Sequence, residues 1–408
     1  MNICIIATYT TEHILGGREI HIRDLAEGLV RRNHRVTILA TKHPKGIKYE
    51  NKNGVDIYYY SKSNPILYRT SHYRDFISFF QEIHWKANFD IVHDQSTLLG
   101  ISFIKYSKLA IPSVTTFHGT AYDEIKSCLN VICSSVNIIS KIKSLLSLFK
   151  LTLAYFQFLP YTKRFNGVIA TSNEQVEIIK KKYFIPENKI YKVFNGVDTE
   201  VFKPNPNTTI RKKYGLEKNK VILTVSKLEE QKGIPNIIRA MPAILKEVKD
   251  AKLMIVGDGS YRDELKKLVS KLNLEEHVIF AGTVPFEKLP DYFNACDVFV
   301  NPTIRQNGYD LTIIEAMACA KPVVVSNIGS VPTVVEHYVD GILIPPGDIN
   351  ALSNEVIKLL NDKDLANKIS KAARTKIVKN FSLDKMVEDT IKVYKDVIEK
   401  YKKRGGVK

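Results

Sequence analysis

Short apolar runs rich in Ile and Val alternate with amphipathic stretches along almost the whole chain. "NICIIAT" (2–8) is followed by "GGREIHIRDLAEGLVRRNH" (16–34), whose apolar positions recur at helical spacing, and then by "RVTILAT" (35–41). Strand, helix, strand in that order is a βαβ unit, which implies a parallel sheet covered by helices. The runs at 55–60, 90–95, 113–119 and 167–172 continue the strand series. A second series follows at 220–226, 251–259, 277–282, 297–302, 321–326 and 341–348.

Between the two series lies "NGVDTEVFKPNPNTT" (195–209), dense in Asn, Pro and Thr, as a linker is. The predicted fold is therefore α/β, with two Rossmann-like doubly wound parallel-sheet domains facing a cleft. An N-terminal domain over 1–203 and a C-terminal domain over 204–383 are expected. Their size agrees with a 408-residue chain, too long for one ordinary core. Helices near 350–360, 362–379 and 384–403 exceed what the second sheet needs, so one is free to return to the first domain. Ligands of such sheets bind beyond the C-terminal ends of the strands, which directs attention to the residues just after each strand.

Charge adds a class of partner. With 60 basic and 43 acidic residues the chain carries +17, which favours phosphorylated small molecules, acidic lipid or nucleic acid. The surplus is dispersed over both halves, with no recognition helix or aromatic-studded basic strand, so nucleic acid is not the expected partner. Five scattered cysteines form no CxxC pair, which argues against zinc or a disulfide framework and for a reducing cytosol. No run of 18 uncharged apolar residues and no basic leader before "MNICIIAT" predict a chain without a spanning helix or secretory signal. One stretch departs from the average: residues 125–173 contain no Asp or Glu, keep Lys126, Lys141, Lys143, Lys150, Lys163 and Arg164, and include "LLSLFKLTLAYFQFLPY". Such a face can lie on an anionic bilayer, which would make the protein peripheral on the inner face of a membrane; a helix hairpin buried in its own domain reads the same way.

Several strand-end segments carry residues able to bind an anion or a sugar. In "TIRQNGYDLTIIEAMACA" (303–320), Asn307 and Gly308 stand in a loop, and Tyr309, Asp310, Leu311 and Thr312 open a helix. First-turn N–H groups there make an anion site. Glu315, one turn in, suits a ribose diol, but Thr312 and Glu315 equally fit a T-x-x-E capping box, and the two readings stand level. Asn307 alone reads more readily as a turn residue than as a ligand. Lys227 and Lys232 in "VSKLEEQKG" flank a strand-to-helix loop and suit a diphosphate, or are simply solvated. Gly16 and Gly17 permit close backbone approach at the first helix. His118 follows the strand "TTF" and can meet a sugar hydroxyl, while His93 suits a packing or supporting role. Gly257, Gly259 and Thr283–Val284 line turns that a flat base would fit.

In order and spacing these segments resemble the retaining GT-B glycosyltransferases of family 4 (group 1). The resemblance runs through "GGREIHIRDLAEGLVRRNHRVTILAT", "DIVH", "TTFHG", "NGVDTEVFKP", "VSKLEEQKG", "VGDG", "VIFAGTV", "YFNACDVFVNPT", "NGYDLTIIEAMACAKPVVVS" and "GILIPPGD", nearly the whole chain. It implies a nucleotide-sugar donor and transfer of a hexosyl unit to a hydroxyl of a glycan or glycolipid acceptor. By resemblance, Glu315 holds the nucleotide ribose as the second position of the family's E-x7-E motif, and Asn307 occupies the first, where Glu contacts the donor sugar. Residues 309–312 present amides to sugar and phosphate, Lys232 is the diphosphate lysine, and Lys227 replaces a commoner Arg. His118 matches a catalytic, sugar-contacting His, Gly16 and Gly17 form the glycine loop, and the helix in 384–408 crosses back to the N-terminal domain. Two residues depart from the pattern: Asn307 removes a charge, and Asp310 stands where a small residue is common. No metal or other cofactor is expected, since the lysines and the helix N-terminus can neutralise the diphosphate. The alternatives are a synthase-type member with a soluble sugar acceptor and a non-catalytic nucleotide-sugar sensor.

Overall fold

The computed structural model describes residues 1–14, 16–60, 70–96, 98–106, 110–134, 138–306 and 309–405. Strand β1 (Asn2–Ile6) shows why its sequence is apolar throughout: Ile3, Cys4, Ile5 and Ile6 are wholly buried, because helices cover both faces of the sheet it centres. β1 pairs in parallel with β2 (Arg35–Thr41) on one side and β5 (Ile91–Asp94) on the other. With β3 (Tyr49–Lys52), β4 (Val55–Tyr60), β6 (Ser113–Phe117), β7 (Gly167–Ala170) and β8 (Ile190–Lys192), the described sheet runs β3-β4-β2-β1-β5-β6-β7-β8. Only β3 is antiparallel, joined to β4 through Asn53-Gly54, both at positive φ. That dipeptide supplies the left-handed pair a two-residue hairpin turn needs.

The second sheet has β9 (Lys220–Val225), β10 (Ala251–Val256), β11 (Val278–Gly282), β12 (Val298–Asn301), β13 (Val323–Ser326) and β14 (Ile342–Ile344) in the order β11-β10-β9-β12-β13-β14. Every described pairing in it is parallel. The direction of strand progression reverses between β9 and β12 here, and between β1 and β5 in the first sheet, so each sheet has one switch point where a ligand crevice forms.

The chain folds as two units, Met1–Gly196 with Leu383–Lys408, and Val197–Ser382. The first unit ends seven residues before the expected boundary at 203, for identifiable reasons. Val197 N–H donates to Phe381 O at 2.9 Å. Phe202 is buried against Phe286 and Phe293, with ring centroids 5.5 and 6.0 Å away. Arg374 donates to Phe202 O at 2.8 Å and to Thr199 O at 3.0 Å. The last helix, Leu383–Lys403, packs into the first unit. Its buried residues Leu383, Met386, Val387, Thr390, Val393, Tyr394 and Val397 recur at helical spacing, so one stripe faces that core.

Candidate functional site

Two neighbouring strands of the second unit end on residues that build a charged crevice. β9 runs into Ser226 and Lys227, then into a tight turn at Glu230–Lys232 closed by Gly233. β12 ends at Asn301 and continues toward Asp310, the N-cap residue of the helix Leu311–Ala318. These are the two strands flanking the switch point.

The loops are laced together by main chain. Ile304 N–H donates to Gln231 O at 3.0 Å, and Thr303 Oγ1 donates to the same oxygen at 3.2 Å. Gly233 lies at φ +67°, and a Cβ there would sit 1.9 Å from Pro302 O. Gly257, after β10, has φ +125°, and a Cβ would meet Ser226 O at 2.0 Å. Leu228 N–H donates to Asp258 O at 3.0 Å. Glycine is required at both places because backbone touches backbone, and that contact fixes where Lys232 stands.

Lys232 is paired with Asp310, and its side chain is only 11% exposed. The other carboxylate oxygen of Asp310 accepts from Asn301 Nδ2 at 2.9 Å. Burial alone would raise the Asp310 pKa; the charge and hydrogen bond of Lys232, with Asn301 and Arg305, outweigh it and hold the carboxyl below its ordinary range. Lys227 is 63% exposed and pairs with Glu229 at 2.6 Å. Glu315 is buried one turn into the helix. Asp310, not Thr312, occupies the N-cap position, so the T-x-x-E capping box does not form; Thr312 is the second helical residue. Ile313 N–H donates to Asp310 O at 3.0 Å, and Leu311 and Thr312 are the first two residues of the helix. Tyr309 is half-buried beside them. Val284 follows β11 and Gly257 follows β10, both on the same C-terminal edge. Asn307 and Gly308 lie outside the described residues. Asp362 caps the helix Lys363–Asn380, accepting from Leu365 N–H at 2.9 Å.

The first unit holds a separate cluster beyond β5 and β6. His118 Nε2–H donates to Gln95 Oε1, leaving Nδ1 as the acceptor of the ring. The ring of His21 stands edge-on to that of His118, with centroids 4.6 Å apart. His93, fully buried, hydrogen-bonds Tyr394 OH through Nδ1 at 2.5 Å and Thr116 Oγ1 through Nε2 at 2.7 Å, while Gln95 Nε2 lies 3.2 Å from His93 Nε2. Burial first, then the nearby His21, Arg18 and His93, pushes His118 well below the usual imidazole range, and burial lowers His21 to about 4. His118 is thus a neutral imidazole held in one tautomer by Gln95. Gly16 is the N-cap of the helix Gly17–Val30 in extended backbone, where a Cβ would meet Glu19 Oε2 at 2.5 Å. Space beside Glu19, rather than a special φ, is what that glycine supplies.

Sequence reasoning brought Lys232 and Asp310 to one crevice and missed Asn301, Gln95, His21 and Tyr394. Asn301 and Gln95 were detectable as polar residues ending or following buried strands. Tyr394 was not, because nothing local marks its partner 301 positions away.

Comparison with known proteins agrees with this architecture. A model of the glycosyl transferases group 1 matches residues 206–376, and one of Glycosyltransferase Family 4 matches residues 15–201. The chain is 32% identical over 321 residues to the Escherichia coli UDP-Gal:α-D-GlcNAc-diphosphoundecaprenol α-1,3-galactosyltransferase, covering 77% of each protein. The chain belongs to the group 1, family 4 glycosyltransferases. This glycosyltransferase is also 29% identical to an uncharacterized glycosyltransferase of Methanocaldococcus jannaschii over 98% of its own length and 99% of the relative's. Among solved structures, the sucrose-phosphate synthase of Thermosynechococcus elongatus matches with a TM-score of 0.79 at 21% identity, over 98% of this chain and 100% of that one. Anabaena HepE in complex with UDP-glucose gives 0.73 at 19% identity, over 99% and 100%. The fold is GT-B, as expected from the sequence.

Proposed function

We propose that this glycosyltransferase moves a hexosyl unit, with retention and without a metal, from a nucleoside-diphosphate sugar to a hydroxyl of a lipid-linked or cell-surface glycan. The observation that carries the reading is Lys232 at the β9–β12 switch point, a buried-edge cation beside the N-terminus of the helix Leu311–Ala318. In this reading the diphosphate lies on Lys232, Lys227 and the amides of Leu311 and Thr312. Glu315 takes the ribose diol, Gly257 and Val284 line the base, and Tyr309, Asn307 and Gly308 border the sugar. Charge grows on the leaving phosphate as the anomeric carbon becomes oxocarbenium-like, so a cation in a dry crevice stabilises the transition state more than the ground state. Neutral His118, with Nδ1 as acceptor, is suited to a sugar hydroxyl in the first unit, and the Gly16–Gly17 helix N-terminus of the same unit is suited to the acceptor. The departing phosphate oxygen takes the acceptor's proton on the same face. Incubation with UDP-, GDP- and ADP-sugars, with EDTA and with glycolipid acceptors, tests this. One sugar nucleotide is expected to be consumed slowly alone and faster with acceptor, with the α- or β-configuration kept. Consumption unaffected by any acceptor would make the protein a sugar-nucleotide hydrolase, and no consumption at all would leave a binding protein; either outcome removes the transferase reading.

The acid-free segment supports a membrane-bound acceptor. It contains the helix Ile138–Thr162, on which Ile138, Ile142, Leu145, Leu146, Phe149, Leu153 and Phe156 are each more than half exposed. Their spacing of three and four residues puts them on one face, and Lys150 and Lys163 lie exposed in the same segment. An exposed apolar stripe with cations beside it suits insertion at the headgroup boundary of an anionic bilayer. Among the described residues no helix is long and apolar enough to cross a membrane. The names of similar proteins point the same way: the Escherichia coli relative acts on a diphosphoundecaprenol acceptor, and Mycobacterium tuberculosis and Mycolicibacterium smegmatis relatives act on phosphatidylinositol monomannoside. Phe149→Glu/Phe156→Glu, and separately charge reversal of Lys141, Lys143 and Lys150, are expected to cut sedimentation with phosphatidylglycerol vesicles by about tenfold or more. Unchanged sedimentation would disprove the docking face.

A further inference from the structure

We infer that Asp310 is an internal counter-ion that competes with the diphosphate of the donor, and then with the nucleoside diphosphate product, for Lys232. The inference rests on the nucleotide-sugar reading above and adds to it a device for release. Three observations on the second unit support it. First, the Asp310 carboxylate is fixed from both sides, one oxygen on Lys232 and the other on Asn301 Nδ2 at 2.9 Å. Second, Asp310 occupies the N-cap position of the helix Leu311–Ala318 yet makes no side-chain cap bond, so its charge is turned to Lys232 instead of to the helix amides. Third, Lys227 is likewise matched by Glu229 at 2.6 Å. Both lysines that would meet the diphosphate are therefore already neutralised, one carboxylate to each.

An incoming diphosphate must exchange with Asp310 on Lys232 or share that cation with it. Asp310 is held ionised by its partners, so at neutral pH it does not yield by taking up a proton. Either route sets a negative charge against the phosphates and weakens their binding. The same charge speeds departure of the product, because Asp310 re-forms its pair as the nucleotide leaves. A residue that only positioned Lys232 would act oppositely, and its loss would weaken binding.

Calorimetry on the full chain with UDP, GDP, ADP and inorganic pyrophosphate distinguishes the two. Asp310→Asn keeps an oxygen for Lys232 and the shape beside Asn301 while removing the charge. It is expected to bind the preferred nucleoside diphosphate, and pyrophosphate, at least about tenfold more tightly than the wild type, mainly through a slower off-rate. Asp310→Gly removes the carboxylate altogether and is expected to shift in the same direction, giving the answer if the amide variant does not fold. Equal or weaker binding by these variants, with the wild type binding normally, overturns the counter-ion role and leaves the nucleotide-sugar reading standing. Absence of binding by all three chains overturns both.

Discussion

Lys232→Ala lowers kcat/KM for glycosyl transfer by at least about 10²-fold, with most of the loss in kcat. The size follows from where the charge sits. The Lys232 side chain is 11% exposed and that of Lys227 is 63%, so water screens the second far more than the first. A factor of 10² corresponds to about 2.7 kcal/mol of transition-state stabilisation, within the range for removing one preorganised donor to a developing anion. Truncation also leaves Asp310 without its cation in the crevice, which adds repulsion toward a diphosphate. Lys232→Ala/Asp310→Asn separates the two effects: it should recover binding but not kcat. Steady-state kinetics with the donor found in the screen, alongside a melting curve to confirm folding, is the measurement. Turnover of Lys232→Ala within about threefold of wild type would mean the leaving phosphate is stabilised elsewhere.

The architecture could be read in the sequence because parallel strands buried on both faces must be apolar throughout, and ten of the stretches named as strands coincide with β1, β2, β4, β5, β6, β7, β9, β10, β12 and β13. The stretches at 277–282 and 341–348 likewise contain β11 and β14. What escaped notice has physical reasons. β3 reads "YENK", exposed and polar at a sheet edge, and only the Asn53-Gly54 turn beside it betrays a hairpin. The join at Gly196–Val197 is set by the contacts of Phe202 with Phe286 and Phe293 and of Arg374 with Phe202 and Thr199, each spanning more than eighty residues along the chain, beyond any local pattern. The crevice was legible in kind but not in pairing. Two cations near a strand end suggest phosphate, but the sequence shows no sign that Asp310 and Glu229 already neutralise them. His93 was assigned a supporting role, and the structure gives it full burial in a hydrogen-bonded chain from Tyr394 to Thr116.

Gly233→Ala is expected to destabilise the second unit by about 3 kcal/mol or more, from two effects that a companion variant can separate. At φ +67° an L-residue costs about 1–2 kcal/mol in the left-handed region. The added Cβ would also fall 1.9 Å from Pro302 O, a backbone atom that cannot rotate away. Gly215, in the same unit, has nearly the same φ of +65° but open space around its Cβ position. Gly215→Ala should therefore show the conformational cost alone, about 1 kcal/mol, and Gly233→Ala the sum. For a unit of this size each kcal/mol moves the midpoint by about 2–4 °C, so the two variants should differ by several degrees. Transfer should fall only in Gly233→Ala, because relieving the clash moves the loop carrying Lys232 away from the end of β12. Differential scanning calorimetry with an activity assay decides it. If the two variants melt together and both retain full transfer, the close approach of the β9 and β12 loops does not position Lys232.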